Sequence, residues 1–478
     1  MQKSIIRITA LATALVPFAA QSASLGSSRI VPEKELLITD VAVVDSAETA
    51  FPGRFSFGHL MVQMAGVNDP SEFVKTWLKT WERSRFVNSH PLPARSKIRE
   101  LILDPWKKKD GFEGRPDEEW VVDFGNAPFR LLAIVNRMDL APSAVPPEPP
   151  DPEEERQRRR RPAYYFPQPS GPIERENAGE GRFVFAALDP TGAPLAGDFT
   201  IIFEYRLKIS TDLDITRWAR DWHALAEFEA FDSDYVEALA TLTDIFVTGG
   251  TPSTNIVTGD RETAIRQIRT SEASFHPDRE FREFTINKEG FLEPNTLAGT
   301  PAVRFQRFGT RTWDNDALAK LINDNGKAIA DGDFSFPKNV VLENGKTAKL
   351  LAARAIIPEG QGKKFHWDAR GIKHSEGRRT LSFNTCNGCH AAETDTDSCL
   401  HIHPRLKGEP AKLSKFLDRN GAYTVSDPGA PGHRVKFSEM QRREDIMKHF
   451  LRRNMTKTLE YRLENERLTN QLQKQRAH

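Results

Sequence analysis

Residues 181–207 read GRFVFAALDPTGAPLAGDFTIIFEYRL. Two apolar runs flank a Pro/Gly-rich turn, and Gly192 and Gly197 are free to take positive φ there. The stretch is expected to fold as an antiparallel hairpin. The apolar run FRLLAIVNRMDL at 129–140 offers a further strand, so a sheet of at least three antiparallel strands is expected.

On the N-terminal side, KELLITDVAVVD (34–45) is apolar and β-branched and reads as strand. DPSEFVKTWLKTWERSRF is a well-signalled helix. Asp69 can cap it, Pro70 sits in its first turn, and Phe73, Val74, Trp77, Leu78 and Trp81 form one stripe. PARSKIRELILDPW is expected to be a second helix stopped by Pro105. Beyond the hairpin, helices are expected over 214–231, 233–247, 261–275, 315–332 and 347–356, with strands at 282–294 and 302–308. This order lacks the regular alternation of a parallel sheet.

Residues 141–181 break the pattern: a Pro-rich run, an acidic run and then RQRRRR. The segment cannot bury a core and reads as a solvated, disordered loop. The whole chain has 478 residues, 38% hydrophobic and 28% charged, with 30 Phe and 8 Trp to build cores. A net charge of +1 gives no field to steer a polyanion, which argues against a nucleic-acid binder. Residues 1–24 have the layout of a secretory signal. Lys3 and Arg7 precede a 13-residue apolar run, and small residues follow it. No later run reaches the ~20 residues of a membrane span. Export, most simply to a periplasm, is therefore expected.

All three cysteines lie in LSFNTCNGCHAAETDTDSCLHIHPR, residues 381–405, as Cys386, Cys389 and Cys399, together with His390, His401 and His403. Three thiols cannot all pair within one chain. Cys386-Asn-Gly-Cys389-His390 fits C-x-x-C-H, the attachment pattern of c-type haem, and there the chain resembles c-type cytochromes. The resemblance implies one covalent haem c, with Cys386 and Cys389 as thioether anchors and His390 as the proximal iron ligand. A distal ligand could come from His401 or Met440, or the position could be empty. Met440 and Met447 also fit the core face of a last helix. The resemblance covers residues 375–456 at most. IKHSEGRRTLSFNT, just before the motif, reads as loop and strand instead of the helix such a module places there.

Two other readings use the same residues. Cys386, Cys389, Cys399 and His401 or His403 make a Cys3His zinc set. A disulfide within 386–403 could instead clip a loop. His59, His223 and His276 are read as structural, while His366 and His374, shortly before the cysteines, could lie near them.

The expected architecture is α+β: a mixed helix and antiparallel-sheet region, a small mainly helical cytochrome c-like module, and a long C-terminal helix. The divisions are 1–24, 25–140, 141–181, 182–374, 375–456 and a projecting helical tail at 457–478, which could pair with another helix. Three functions follow. The first is electron transfer with an unidentified redox partner protein, as a carrier or as the haem-bearing subunit of a redox assembly. The second is a haem oxidoreductase with a substrate pocket in the N-terminal region. The third is a structural or binding protein stapled by zinc or a disulfide.

Overall fold

The 181–207 stretch supplies the two longest strands of an eight-stranded antiparallel sheet. A computed structural model describes residues 29–141, 177–208, 215–248, 264–306, 313–332, 334–418 and 421–452. The signal-like residues 1–24, most of the expected 141–181 loop and the tail 457–478 lie outside the described residues.

The strands are β1 (Leu37–Ile38), β2 (Phe129–Arg137), β3 (Asn177–Ala187), β4 (Phe199–Lys208), β5 (Ile265–Glu272), β6 (Arg279–Ile286), β7 (Leu292–Asn295) and β8 (Ala355–Ile357). They pair in the order β1-β2-β3-β4-β5-β6-β8, and β7 pairs with the other half of β6. Gly192 and Gly197 in the β3–β4 connection do adopt positive φ, 84° and 79°.

The two faces of the sheet differ in chemistry. On one, Phe183, Phe185, Phe199, Phe203 and Tyr205 point into a continuous apolar core. Helices α1 (Phe57–Ala65), α2 (Pro70–Leu78) and α4 (Ser233–Val247) pack there, following α3 (Ile215–His223) in the case of α4. Phe57 stacks on Phe129 with ring centroids 4.2 Å apart, Trp81 stacks on Phe284 at 4.7 Å, and Phe246 meets Tyr205 at 5.4 Å. On the other face, cross-strand register lines up charges. Arg137, Glu180 and Arg206 are paired across β2, β3 and β4. Arg182, Glu204 and Gln267 form the next row across β3, β4 and β5. Arg269 lies opposite Glu283 across β5 and β6. Alternation of this kind ordinarily marks a wet face. Here Glu180, Glu204, Arg206 and Glu283 are all buried.

Their cover is the C-terminal third. It comprises α5 (Trp313–Asp331), α6 (Ser375–Phe383), the one-turn α7 (Cys386–Cys389), a hairpin of β9 (Tyr423–Ser426) and β10 (Arg434–Phe437), and α8 (Glu439–Arg452). This overturns the expected architecture. No separate cytochrome c-like module stands apart from the body. Phe383, Phe416, Val435, Phe437, Met440, Met447 and Phe450 join the same core as the sheet residues, and Leu381, Ala391 and Cys399 join a second core with residues 281–369. Among the described residues there is no long C-terminal helix either. The last described helix has 14 residues, and its apolar face ends with Phe450 and Leu451. No helix among the described residues is long and apolar enough to cross a membrane.

Local expectations also change. RETAIRQIRTSEASF and TAKLLAARAI, read as helices, carry strands β5 and β8. In β5 the two-residue alternation of Gln267, Arg269 and Ser271 with Ile268 and Thr270 overrides helix propensity, because strands pair on both sides. KELLITDVAVVD is mostly two short helical turns around β1. Pro105 does not stop a helix; it occupies the first turn of the helix Asp104–Lys109. IKHSEGRRTLSFNT contains α6, so a helix does precede the motif. Residues 377–383 of α6 are all buried. A helix buried on every side has no amphipathic stripe to reveal it. Arg378 at its centre is held by Glu393 and Asp427, each at 2.5 Å.

Glu272 of β5 lies at the edge of the apolar core and accepts from Trp81 Nε1 at 2.8 Å. Burial pushes its carboxyl up from 4.5 to about 8; Arg282 opposes this and Glu280 reinforces it. Between those two values the folded chain holds a proton that the unfolded chain releases. This contribution is complete below the unfolded value and is lost as pH rises through the folded one, at up to ~1.4 kcal/mol per pH unit. Glu272→Gln is expected to flatten stability against pH over that window. Guanidinium chloride midpoints at pH 5 and pH 7.5 check it, and equal slopes in variant and wild type would refute it.

Candidate functional site

CNGCH folds as the single turn α7 immediately after α6. Thr385 caps it, its Oγ1 accepting from the Gly388 amide at 3.0 Å. Both residues between the cysteines are structurally required. The fully buried Asn387 donates to the Ile356 carbonyl of β8 at 3.0 Å and accepts from Trp367 Nε1 at 2.9 Å. A Cβ at Gly388 would stand 2.0 Å from the Ser382 carbonyl oxygen, so no larger residue fits without moving backbone. The Cys386 amide donates to Thr300 Oγ1 at 3.2 Å. The turn is thereby held at one orientation against the sheet.

Between α7 and the charged sheet face lies a partly open cavity of about 220 Å³. Cys386, Cys389 and His390 line one wall, with Phe383 and Phe416. Thr200, Ile202, Glu204, Gln267 and Arg269 are among the residues of the sheet wall. Five arginines (137, 182, 206, 269 and 282) and three glutamates (180, 204 and 439) border the space, and Asp139, Glu283 and Glu280 pair with Arg137, Arg269 and Arg282. Glu180 takes both Nε and Nη2 of Arg182, at 3.0 and 2.6 Å, and Nη2 of Arg206 at 2.5 Å. Burial works against its ionisation, but Arg182 and Arg206 prevail and hold it down at about 2. Gln267 donates to Glu204 at 2.5 Å, and Arg269 Nε to Glu283 at 3.1 Å. Glu439 is held by Arg442 and Arg443.

His390 is fixed by a single hydrogen bond. Its Nδ1 donates to the Cys399 carbonyl at 2.9 Å, which leaves Nε2 as the lone-pair nitrogen. Burial pushes the imidazole down to about 4, so it is neutral at ordinary pH. Burial likewise pushes the Cys389 thiol up to about 12 and the Cys386 thiol above its usual range. Both are protonated thiols at neutral pH. The Cys399 carbonyl is aimed by an unusual backbone: Asp395, Ser398 and Cys399 all have positive φ, 48°, 57° and 57°. Three non-glycine residues in that region within five positions is costly.

The structure therefore brings Cys386, Cys389 and His390 to one cavity wall. It does not bring the other candidates there. His401 packs beside His390 with ring centroids 4.4 Å apart. Two imidazoles facing each other across a metal need centroids roughly 6 Å apart, since each N–metal bond is ~2.0 Å. Both His401 nitrogens are also engaged, Nε2 with Cys389 Sγ at 3.5 Å and Nδ1 with Ser414 Oγ at 2.9 Å. Met440 is buried in the main core and does not line the cavity; its neighbour Glu439 does. Cys399 is free, as are Cys386 and Cys389, and its thiol lies against Arg279. His403 sits beside the Arg279–Asp198 pair. Among the described residues, no group of three or more His, Cys, Asp or Glu is gathered to hold a metal ion. The structural histidines include His223, which meets Glu35 at 2.9 Å, and His374, which caps α6.

Reading the sequence missed the sheet wall. Its signal was present as alternating Glu and Arg in NAGEGRF, FEYR and RQIRTSE, but nothing local says that this face is covered. No family model matches the chain, and no curated protein or solved structure does either.

Asn387→Ala would leave the buried Trp367 indole N–H without its acceptor and remove the donor to the half-buried Ile356 carbonyl. A loss of about 1–3 kcal/mol is expected from the orphaned indole. Chemical denaturation of the variant checks it; an unchanged midpoint would show that α7 is not pinned this way.

Proposed function

We propose that this chain is an exported, most simply periplasmic, haem c-binding protein that carries one covalent haem on Cys386 and Cys389, with His390 as the proximal iron ligand. One observation carries the reading. Two protonated thiols and an imidazole with its Nε2 lone pair uncommitted meet at one cavity wall, and the Cys399 carbonyl sets the tautomer. A metal-ligating histidine characteristically donates its other ring N–H to such a carbonyl. The enclosed space is smaller than the ~300–1,000 Å³ of ordinary ligand pockets. A flat group would therefore enter from the open side.

When bound, haem supplies a one-electron iron couple. The chain supplies the rest. Cys386 and Cys389 would hold the group through thioether bonds. His390 holds an uncharged nitrogen toward it. Arg182, Arg206 and Arg269, ion-paired with Glu180, Glu204 and Glu283, make the sheet wall polar. The role proposed first is electron transfer, alone or within a redox assembly, to a partner protein. A second reading, a haem oxidoreductase, is supported by the cavity wall itself. Strands β3–β6 of the body build that wall, where a carrier needs only a small cover.

The test is expression with the c-type maturation machinery, followed by a pyridine haemochrome spectrum and intact mass. One haem added to the polypeptide mass is expected. Cys386→Ser and Cys389→Ser should each break covalent retention, while Cys399→Ser should keep it. A wild type without haem, carrying zinc or lacking two protons, would overturn the reading in favour of a zinc or disulfide staple.

A further inference from the structure

The network facing α7 pairs its guanidiniums with carboxylates. A second buried network, on the other face of the sheet, does not. It is centred on Glu280 and Arg282 of β6, with Arg354 just before β8. Register sets Glu272 opposite Glu280 and Thr270 opposite Arg282. A small hairpin of Arg85–Val87 and His90–Leu92 lies over this part of the sheet. Arg282 Nη2 ties it down by donating to the Pro93 carbonyl at 3.0 Å. Side chains alternate along the hairpin. Phe86 is 76% exposed, so Arg85 and the buried Leu92 opposite it face inward.

Three guanidiniums share one carboxylate here. Arg95 and Arg354 both meet Glu280 Oε2 at 2.5 Å, and Arg282 donates to its Oε1 at 2.7 Å. The adjacent Glu272 does not balance them. Its Oε1 lies 3.7 Å from Arg282, and burial holds its carboxyl up at about 8, so at neutral pH it carries a proton. Arg85 brings a further positive charge. Burial and then Arg282 push its guanidinium down, and the exposed Glu293 and Arg83 act on it with opposite signs.

These groups also keep buried donors that meet no acceptor among the described residues: Nη1 of the fully buried Arg282, Nε of Arg95 and Nε of Arg85. The Thr270 hydroxyl and Glu272 Oε1, which borders Arg282, are unpartnered as well. Each orphaned buried donor costs ~1–3 kcal/mol, more where it is charged, and a guanidinium cannot shed its charge to escape. Water would accept the hydrogen bonds and leave the charge. An acceptor that is itself negative answers both.

Independently of the haem reading, we infer that a small inorganic anion of the halide class binds between β6 and the 85–92 hairpin, accepting from Arg282 Nη1 and from the Nε groups of Arg85 and Arg95. The anion pins the hairpin over the end of the sheet.

The experiment titrates the full-length protein with chloride, replacing gluconate at constant ionic strength, and follows the unfolding midpoint. A ligand bound only by the folded state raises the midpoint with its concentration. A chloride-dependent rise is expected, and bromide in crystals of the wild type should give an anomalous peak in contact with Arg282 Nη1. Arg85→Gln should weaken the apparent chloride affinity roughly tenfold or more, the loss of one charge-assisted hydrogen bond. Arg85→Lys should recover part of it, and Arg83→Gln, at the exposed neighbour, should leave it unchanged. A midpoint indifferent to chloride would overturn the inference. So would equal chloride dependence in Arg85→Gln and wild type. A bromide peak at Arg282 with no chloride effect on the midpoint would mark an adventitious ion only and would also overturn it. The bromide measurement needs no variant, so a misfolded Arg85→Gln would not shelter the inference.

Discussion

The structure depends on the burial of a charged sheet face. Glu204 is fully inaccessible and Glu180 and Arg206 nearly so, yet they lie on the strands that carry the main apolar core on their other side. Taking such charges out of water costs several kcal/mol per ion before pairing repays it. Register is what makes repayment possible. Arg137, Glu180 and Arg206 alternate across three strands, and one residue of slip would exchange these rows with the Phe183–Tyr205 face. The apolar packing against α1, α2 and α4 therefore enforces the ion network, and the C-terminal third seals it. A well-packed apolar cover would be as stable or more so. The retained charges accordingly point to what the cavity holds.

The same constraint explains the expensive backbone at 395–399. Three left-handed non-glycine residues persist only where their surroundings over-determine them. Here Thr394 Oγ1 bonds the Cys389 carbonyl, Tyr423 donates to the Thr394 carbonyl at 2.7 Å, and Arg378 ties Glu393 to Asp427. The first ties the loop to the CNGCH turn, and the other two tie it to the β9–β10 hairpin and to α6. Their common product is the Cys399 carbonyl placed 2.9 Å from His390 Nδ1. A weak hydrogen bond is made directional by a frame that cannot yield elsewhere.

What was legible in the sequence was local. The β3–β4 hairpin could be read because its turn chemistry and its alternation lie within 27 residues, and the 69–81 helix because cap and stripe coincide. The CNGCH spacing was visible for the same reason, because it is local. Whatever depends on cover was not legible. β5 looked helical because its partners are distant in sequence, and α6 looked like loop because it is buried all round. The Glu/Arg alternation on β3 to β5 was visible, but its burial under residues more than 100 positions away was not. Asn387 and Gly388 looked like fillers of a spacing. Their roles rest on Trp367, Ile356 and Ser382, which only the fold brings near.

Placement of the CNGCH turn also bears on how its chemistry is used. A carrier that only passes electrons is served by two strong axial ligands and a small apolar cover, because a fixed coordination sphere needs little rearrangement between oxidation states. Among the described residues, the surroundings of the turn differ from that pattern. His401, the nearest second imidazole, is spent behind His390, where Ser414 and Cys389 hold it and burial keeps it neutral. The space in front of the turn is bordered by guanidiniums that are already ion-paired, Arg137 with Asp139 and Arg269 with Glu283, so the wall is polar and its charges are matched across the strands.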